Sequence, residues 1–262
     1  MPPRTWLPVV VLLLSCLTLH AQELRIASYN MERLGQNRKD YAALARVVSR
    51  YDLIAAEEVM NADGMARLLE KLGTGWSDYM SAEGEGSRSY REHFGYFFDG
   101  SVEVVSVLGE YPGRSFFRPP FGVRFRVKAT GFSFNLVACH IVYGKSEKAR
   151  AAEISHLGDV YRWFEEQTGR GGTTVIAGDF NDERSADFSS LGAFGDRDVL
   201  PGKGTTLGKR GPDHDYDHIF IPPGLLSRVE SADVDYWTTD YSGTRLTVSD
   251  HFPVFALLKV FP

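Results

Sequence analysis

Residues 173–181 read Thr173-Thr174-Val175-Ile176-Ala177-Gly178-Asp179-Phe180-Asn181. A short β-branched, apolar run bounded by glycine predicts a strand buried on both faces. This one delivers a carboxylate and an amide at its end. The same pattern recurs along the chain. Asn30 closes a strand over residues 24–29, and Glu58 stands near the end of another over 52–59. His140 follows the apolar run 134–139, Asp217 opens a strand over 217–221, and Asp250-His251 precedes the last strand, 253–260. A glutamate at a strand end is ordinarily a solvated residue, and a lone histidine is ordinarily a surface or satisfied core group. An Asp-Phe-Asn tripeptide by itself can be no more than an Asx turn. Polar groups at so many strand ends are harder to explain as solvated ends, and strand ends gathered on one rim place them in a shared cleft.

Helical patterns lie between these strands. Residues 40–50 place Tyr41, Leu44, Val47 and Val48 on one face, and Asn61 starts a helix reaching about residue 72. Ser146 caps a long helix to about residue 166, with Ile154, Leu157, Tyr161 and Phe164 inward. Runs at 94–98, 102–108 and 123–127 are strands; in the last, Val123, Phe125 and Val127 alternate with Arg124, Arg126 and Lys128. Residues 81–89 and 201–212 read as mobile surface segments. The mixture predicts one α/β domain over residues 22–262, with two packed sheets and outer helices.

Composition is that of a globular chain of 262 residues, 43% hydrophobic and 24% charged. A net charge of -5 argues against a basic scaffold that holds nucleic acid by charge alone. It leaves room for an enzyme whose bound cation meets phosphate, since a metal reverses the local charge balance. Arg4, the apolar run 6–19 and Ala21 make residues 1–21 a signal peptide, too short in its apolar part to span a membrane. The expected location is secreted or periplasmic; lipoprotein anchoring through Cys16 is the alternative. After cleavage Cys139 is alone and no intrachain disulfide can form. The mature chain is expected to be a monomer without stable membrane insertion.

The segments Ile26-Ala27-Ser28-Tyr29-Asn30, Glu57-Glu58-Val59, Ala138-Cys139-His140, Gly178-Asp179-Phe180-Asn181, Tyr216-Asp217-His218-Ile219 and Ser249-Asp250-His251-Phe252-Pro253 run in one order from end to end. Together they resemble the endonuclease/exonuclease/phosphatase superfamily. The resemblance implies an α/β, four-layer sandwich of two packed mixed sheets flanked by helices. Within that superfamily, Ser89-Tyr90-Arg91-Glu92, Phe117-Arg118-Pro119-Pro120 and Tyr216-Asp217 are similar to the DNase I-like branch. Glu57 stands where the family carries glutamine, and Met60 where that branch carries a groove-reading arginine.

What the resemblance implies is a metal-dependent hydrolysis of phosphodiesters, with DNA as substrate. Glu58 is the expected principal Mg²⁺ ligand, with Asn30 and Asp250 nearby; Mn²⁺ is an alternative ion, and structural Ca²⁺ is left open. Oxygen ligands suit such hard cations. His251, held by Asp179 or a neighbouring carboxylate, and His140, held by Glu92, are the expected acid and base, in either order. Asn181 is expected at a non-bridging oxygen, and Asp217 beside His140 or the phosphate. Tyr90, Arg118 and Tyr216 are expected to touch substrate, whereas His214 and His218 read as bystanders. A phosphatase or phospholipase of inositol-phosphate or sphingomyelin type is the rival activity. A non-catalytic binding module on the same fold is the rival class.

Overall fold

The computed structural model describes residues 21–36, 38–87, 90–144, 146–169, 171–183 and 188–261. All of the proposed signal segment before Ala21, Cys16 included, falls outside the described residues, as does Ser89. The first half runs β1 (Gln22–Leu34), α1 (Tyr41–Val48), β2 (Leu53–Val59), α2 (Ala62–Leu72), β3 (Trp76–Met80), β4 (Glu85–Ser87), β5 (Tyr90–Asp99), β6 (Val102–Glu110) and β7 (Phe121–Val127). It continues with β8 (Ser133–His140), α3 (Glu147–Ile154), α4 (Leu157–Gln167), β9 (Thr174–Asp179), α5 (Ser189–Gly192), β10 (Arg197–Asp198), β11 (Leu207–Gly208) and β12 (Gly211–Pro212). The chain closes with β13 (Asp217–Ile221), α6 (Pro223–Leu226), β14 (Val229–Val234), α7 (Tyr241–Thr247) and β15 (Val254–Val260).

Two mixed sheets result. One has the order β14-β15-β1-β2-β5-β3, with β4 added on β5; the other has the order β10-β13-β9-β8-β7-β6. Their facing sides share one core, in which Ile26, Leu53, Tyr96, Phe125, Leu136, Val175 and Val254 are buried. Tyr41, Leu44, Val47 and Val48 of α1, with Met65 and Leu68 of α2, cover the outside of the first sheet. Ile154, Leu157, Val160, Tyr161 and Phe164 of α3 and α4 cover the outside of the second. That is the four-layer α/β sandwich of two packed mixed sheets. Each fully buried Leu, Ile, Val or Phe contributes about 1.5–3 kcal/mol to holding it together.

Local chemistry explains the helix starts. Asp40 accepts from the Ala43 amide at 2.9 Å and Asn61 from the Gly64 amide at 3.0 Å, each satisfying a free N–H of the first turn. The long helix expected over 146–166 is instead two helices. Ser155 Oγ bonds the Ala152 carbonyl at 2.8 Å, the competition with the backbone that interrupts helices, and Ser146 makes no side-chain cap. The segments expected to be mobile are partly built into the fold. Glu85, Gly86 and Ser87 pair with Glu92, Arg91 and Tyr90, while Thr205 and Leu207 are fully buried.

One buried group opposes folding. Asp196 is 6% exposed, and neither of its carboxylate oxygens has a hydrogen-bond partner. Burial, and after it the Glu165 carboxylate, pushes its pKa up to about 7. The unfolded value is about 3.9. A carboxyl raised in the folded state contributes stability that is full below the unfolded value and lost as pH rises through about 7. Asp196→Asn should therefore melt roughly 5 °C or more above the wild type at pH 8, with the gap narrowing steadily as pH falls toward about 4. A melting difference that does not change with pH would contradict this assignment.

Candidate active site

Register sets the first row of the site. His140 on β8 lies opposite Asp179 on the parallel strand β9, and Asp217 on β13 lies opposite Asp179 from the other side. Gly178 makes this approach possible. Its φ is +156°, and a Cβ built there would lie 1.8 Å from the Cys139 carbonyl oxygen. No side chain fits, which gives a physical reason for glycine before Asp179.

Bulges set the second row. The β1–β2 register shifts between Asn30 and Leu34, and the β2–β5 register shifts between Ala56 and Val59. Glu32, Arg33 and Glu58 adopt left-handed φ values of 44°, 58° and 55°. Such residues cost on the order of 1–3 kcal/mol each, and bulges re-aim side chains beside functional clefts. Here Glu57 goes into the protein, fully buried, while Glu58 lines the cleft.

The two rows face a cavity of about 730 Å³. On one side stand two imidazoles with parallel wiring. His140 Nδ1 donates to Glu92 Oε1, and His251 Nδ1 donates to Asp217 Oδ2 at 2.7 Å. The Nε2 atoms of both rings lie 3.6 Å from the same oxygen, Asp179 Oδ2. A carboxylate on Nδ1 fixes the tautomer and leaves Nε2 for a proton exchanged in the cleft. Burial opposes charge on His251, but Asp217, Asp179 and Asp250 outweigh it and hold the ring well above the ordinary histidine range. His140 is raised in the same way, with burial opposed by Glu92. Burial also raises Glu92, yet His140 and Arg118 overcome it and hold that carboxyl below its ordinary range. Asp179 is raised, first by burial and then by Asp217.

Opposite the imidazoles, Asn30 Nδ2 reaches Asp179 Oδ2 at 3.0 Å and Glu58 Oε1 at 3.3 Å. Tyr90 Oη donates to Glu58 Oε2 at 2.9 Å. Glu58, Glu92 and His140 lie close enough together to form a candidate metal group. Glu92 is buried behind the cavity lining and His140 is bonded to it through Nδ1, so Glu58 is the carboxylate of the three that an ion in the cavity meets. The cavity lining holds five carboxylates, Glu32, Glu58, Asp179, Asp213 and Asp250, against three guanidinium groups, Arg33, Arg118 and Arg245. An anionic ester entering that lining needs a cation with it, and hard oxygen donors select a hard one. By this measure the residues fit a divalent metal.

All twelve residues expected at the site are drawn together here, although several partners differ from expectation. Asp217 was expected beside His140 or the phosphate, and instead holds His251. Asp179 was a candidate holder of His251, and instead faces both Nε2 atoms. Arg118 was expected at a phosphate; it is 6% exposed, with Nε and Nη2 donating to the carbonyls of His140 and Ile141 at 2.9 and 2.8 Å. Asn181 donates Nδ2 to the Ile141 carbonyl at 2.9 Å, and its own N–H closes an Asx turn on Asp179 Oδ1 at 2.8 Å. Tyr216 and Asp250 both line the cavity.

Other contributors escaped the sequence reading. Thr205 Oγ1 donates to Asp217 Oδ2 at 2.6 Å, on the oxygen that receives His251. Ser249 Oγ donates to the Asn30 carbonyl at 2.6 Å and accepts from the His251 amide at 3.0 Å, tying two rims together. His214, read as a bystander, stacks on Tyr216 at 4.7 Å and lines the cavity. His218 does stand apart, fully buried between Asp198 and the Asp182 carbonyl. Glu57 has a physical explanation. It accepts from Ser28 Oγ at 2.9 Å, and burial, then Asp217, raises it well above the carboxylate range. Glutamine, the residue the resemblance leads one to expect here, has the same shape without the charge.

The sandwich and its cleft define a phosphoester hydrolase fold, and comparison with known proteins places the chain within it. A profile of the endonuclease/exonuclease/phosphatase family matches residues 27–251, so the chain belongs to that family of divalent-metal-dependent phosphoester hydrolases. A deoxyribonuclease from Thioalkalivibrio sp. (strain K90mix) is 32% identical over 268 residues, covering 90% of this chain and 71% of the relative. Human deoxyribonuclease-1 is 28% identical over 284 residues, covering 95% and 97%. Among solved structures, a mannosyl-6-phosphatase from Bacteroides thetaiotaomicron superposes with a TM-score of 0.67 at 22% identity, covering 91% of this chain and all of that one (100%). The catalytic domain of human Nocturnin with bound sulfate gives a TM-score of 0.67 at 16% identity, covering 92% and 95%. At those identities the two structures share the fold alone. No helix among the described residues is long and apolar enough to cross a membrane.

Proposed function

We propose that this chain is an exported, Mg²⁺-dependent phosphodiesterase that hydrolyses DNA as an endonuclease. The observation that carries the reading is the pair of imidazoles. Each is held at Nδ1 by its own carboxylate, and both turn Nε2 toward one carboxylate of the cleft. Hydrolysis of a phosphodiester needs one group to take a proton from the attacking water and another to give a proton to the leaving oxygen. Two histidines with fixed tautomers are suited to that division. Asn181 lines the cleft and has a second amide hydrogen beyond the one on Ile141, which would serve a non-bridging oxygen.

Glu58 would hold the metal, with Asn30 beside it and Asp250 across the rim. The amide of Asn30 would have to turn so that Oδ1, rather than Nδ2, meets the ion. When bound, the ion supplies a positive charge that offsets the negative charge growing on the phosphoryl oxygens. Mn²⁺ satisfies the same oxygen donors. The likeness to two deoxyribonucleases supports DNA over other esters. Export rests on residues 1–21, with Gln22 as the first residue of the mature chain.

The test is a substrate panel with purified protein and Mg²⁺: plasmid DNA, RNA, sphingomyelin, inositol phosphates and a generic phosphodiester. DNA should be the best substrate by kcat/KM. Release of phosphate from a monoester with no DNA cleavage would reassign the chain to the phosphatases of its family.

A further inference from the structure

Three guanidinium groups line the cavity, and two of them are committed to the protein. Arg118 is bound to two backbone carbonyls and stands 3.5 Å from Glu92. Arg245 donates to the Leu207 carbonyl at 2.6 Å and stands 4.0 Å from Asp250. Arg33 is different. It is exposed, and among the described residues its side chain has no hydrogen bond and no ion pair. Its one defined contact is with the Tyr90 ring, whose centroid lies 5.1 Å from the guanidinium carbon. The backbone beneath it is left-handed, inside the β1 bulge. An arginine held by a ring face keeps its five donors free, in the planar fork that matches a phosphate.

We propose that Arg33 is a subsite for the phosphate that flanks the scissile one. This rests on the phosphodiesterase reading above and deepens it, because it makes the substrate a polyanion rather than an isolated ester. The assignment to a flanking phosphate follows from the contacts. Tyr90 presents its ring to Arg33 and its hydroxyl to Glu58 Oε2. Tyr90 thus links the two, and among the described residues Arg33 makes no ion pair with Glu58, the carboxylate proposed to hold the metal. On the other flank of Glu58, Asn30 links it to Asp179, which faces both imidazoles. Arg33 thus lines the same cavity without pairing with any carboxylate around the reacting groups, which leaves its fork for the next phosphate along a strand rather than for the one being cleaved.

The test compares two substrates and three proteins, the wild type, Arg33→Ala and Arg33→Lys. One substrate is a DNA duplex, and the other is bis(4-nitrophenyl) phosphate, which has one phosphate and none beside it. Arg33→Ala should lower kcat/KM on DNA about tenfold, chiefly through KM, and change the small diester less than twofold. Arg33→Lys should fall between, keeping the charge and losing the fork. The slope of log kcat/KM against log salt on DNA should flatten by about 0.7–0.9 in Arg33→Ala, the change for one phosphate contact removed. Melting temperatures show whether each variant is folded. Equal losses on both substrates would overturn the proposal by moving Arg33 to the reacting phosphate. Unchanged KM and salt slope on DNA would overturn it outright. A wild-type protein that cleaves the diester and no DNA would instead defeat the DNA reading on which it rests, and the proposal with it.

Discussion

Replacing His140 or His251 with alanine is expected to lower turnover by about 10²–10⁴-fold, the ordinary contribution of a positioned general acid or base. Each ring's Nδ1 is committed to a buried carboxylate, so Nε2 is the atom available for proton exchange. The same wiring gives these substitutions a stability cost that a strand-end position in the sequence does not suggest. Both rings are buried, and so are Glu92 and Asp217. Alanine takes the imidazole from a buried carboxylate, a change that costs on the order of 3–5 kcal/mol where no other cation is near, as at Asp217, and less at Glu92, which keeps Arg118 at 3.5 Å. Asparagine separates the two effects, because its Nδ2 can stand where histidine Nδ1 stood. His251→Asn should recover most of the lost melting temperature and none of the lost turnover. Loss of less than tenfold in a folded variant would remove that histidine from the chemistry.

The second large effect concerns Glu58. Glu58→Gln keeps the shape and still offers an oxygen to the Tyr90 hydroxyl, but removes a charge from the proposed first shell of the ion. A hard cation binds a neutral amide oxygen more weakly than a carboxylate. The Mg²⁺ concentration for half-maximal activity should rise at least tenfold. Metal that binds only the folded state raises stability by mass action, about 2.7 kcal/mol at one hundred times its Kd. The Mg²⁺-dependent rise in melting temperature seen for the wild type should shrink in the variant. If Glu58 were only a solvated strand end, the two proteins would give superimposable titrations.

Much of the site was legible because its residues are strand ends, and strands announce themselves through apolar, β-branched runs. Asp179, His140, Asn30 and Glu58 could be found that way. Not all of their partners could. Thr205, Asp217 and His251 meet on one carboxylate oxygen, yet Thr205 lies in a Gly- and Lys-bearing stretch with no periodic pattern. That Asp217 serves His251 is decided by how the two sheets pack, since β13 belongs to one and β15, which His251 precedes, to the other. The bulges that turn Glu58 outward and lift Arg33 over Tyr90 leave no mark in composition. The break between α3 and α4 is visible afterwards in Ser155, whose hydroxyl competes with the helix, but the apolar face runs through it unbroken from Ile154 to Leu157. Arg118 lines the cavity, and what its motif did not show is that its Nε and Nη2 also fasten the end of β8.

The most direct test of the central claim is the conversion of closed-circular plasmid DNA, followed over time with Mg²⁺, with EDTA, and with His251→Asn in Mg²⁺. The account predicts a nicked circle and then a linear product with the wild type and Mg²⁺, and intact plasmid in the other two. Nicking that persists in EDTA, or that survives in folded His251→Asn at the wild-type rate, would contradict it.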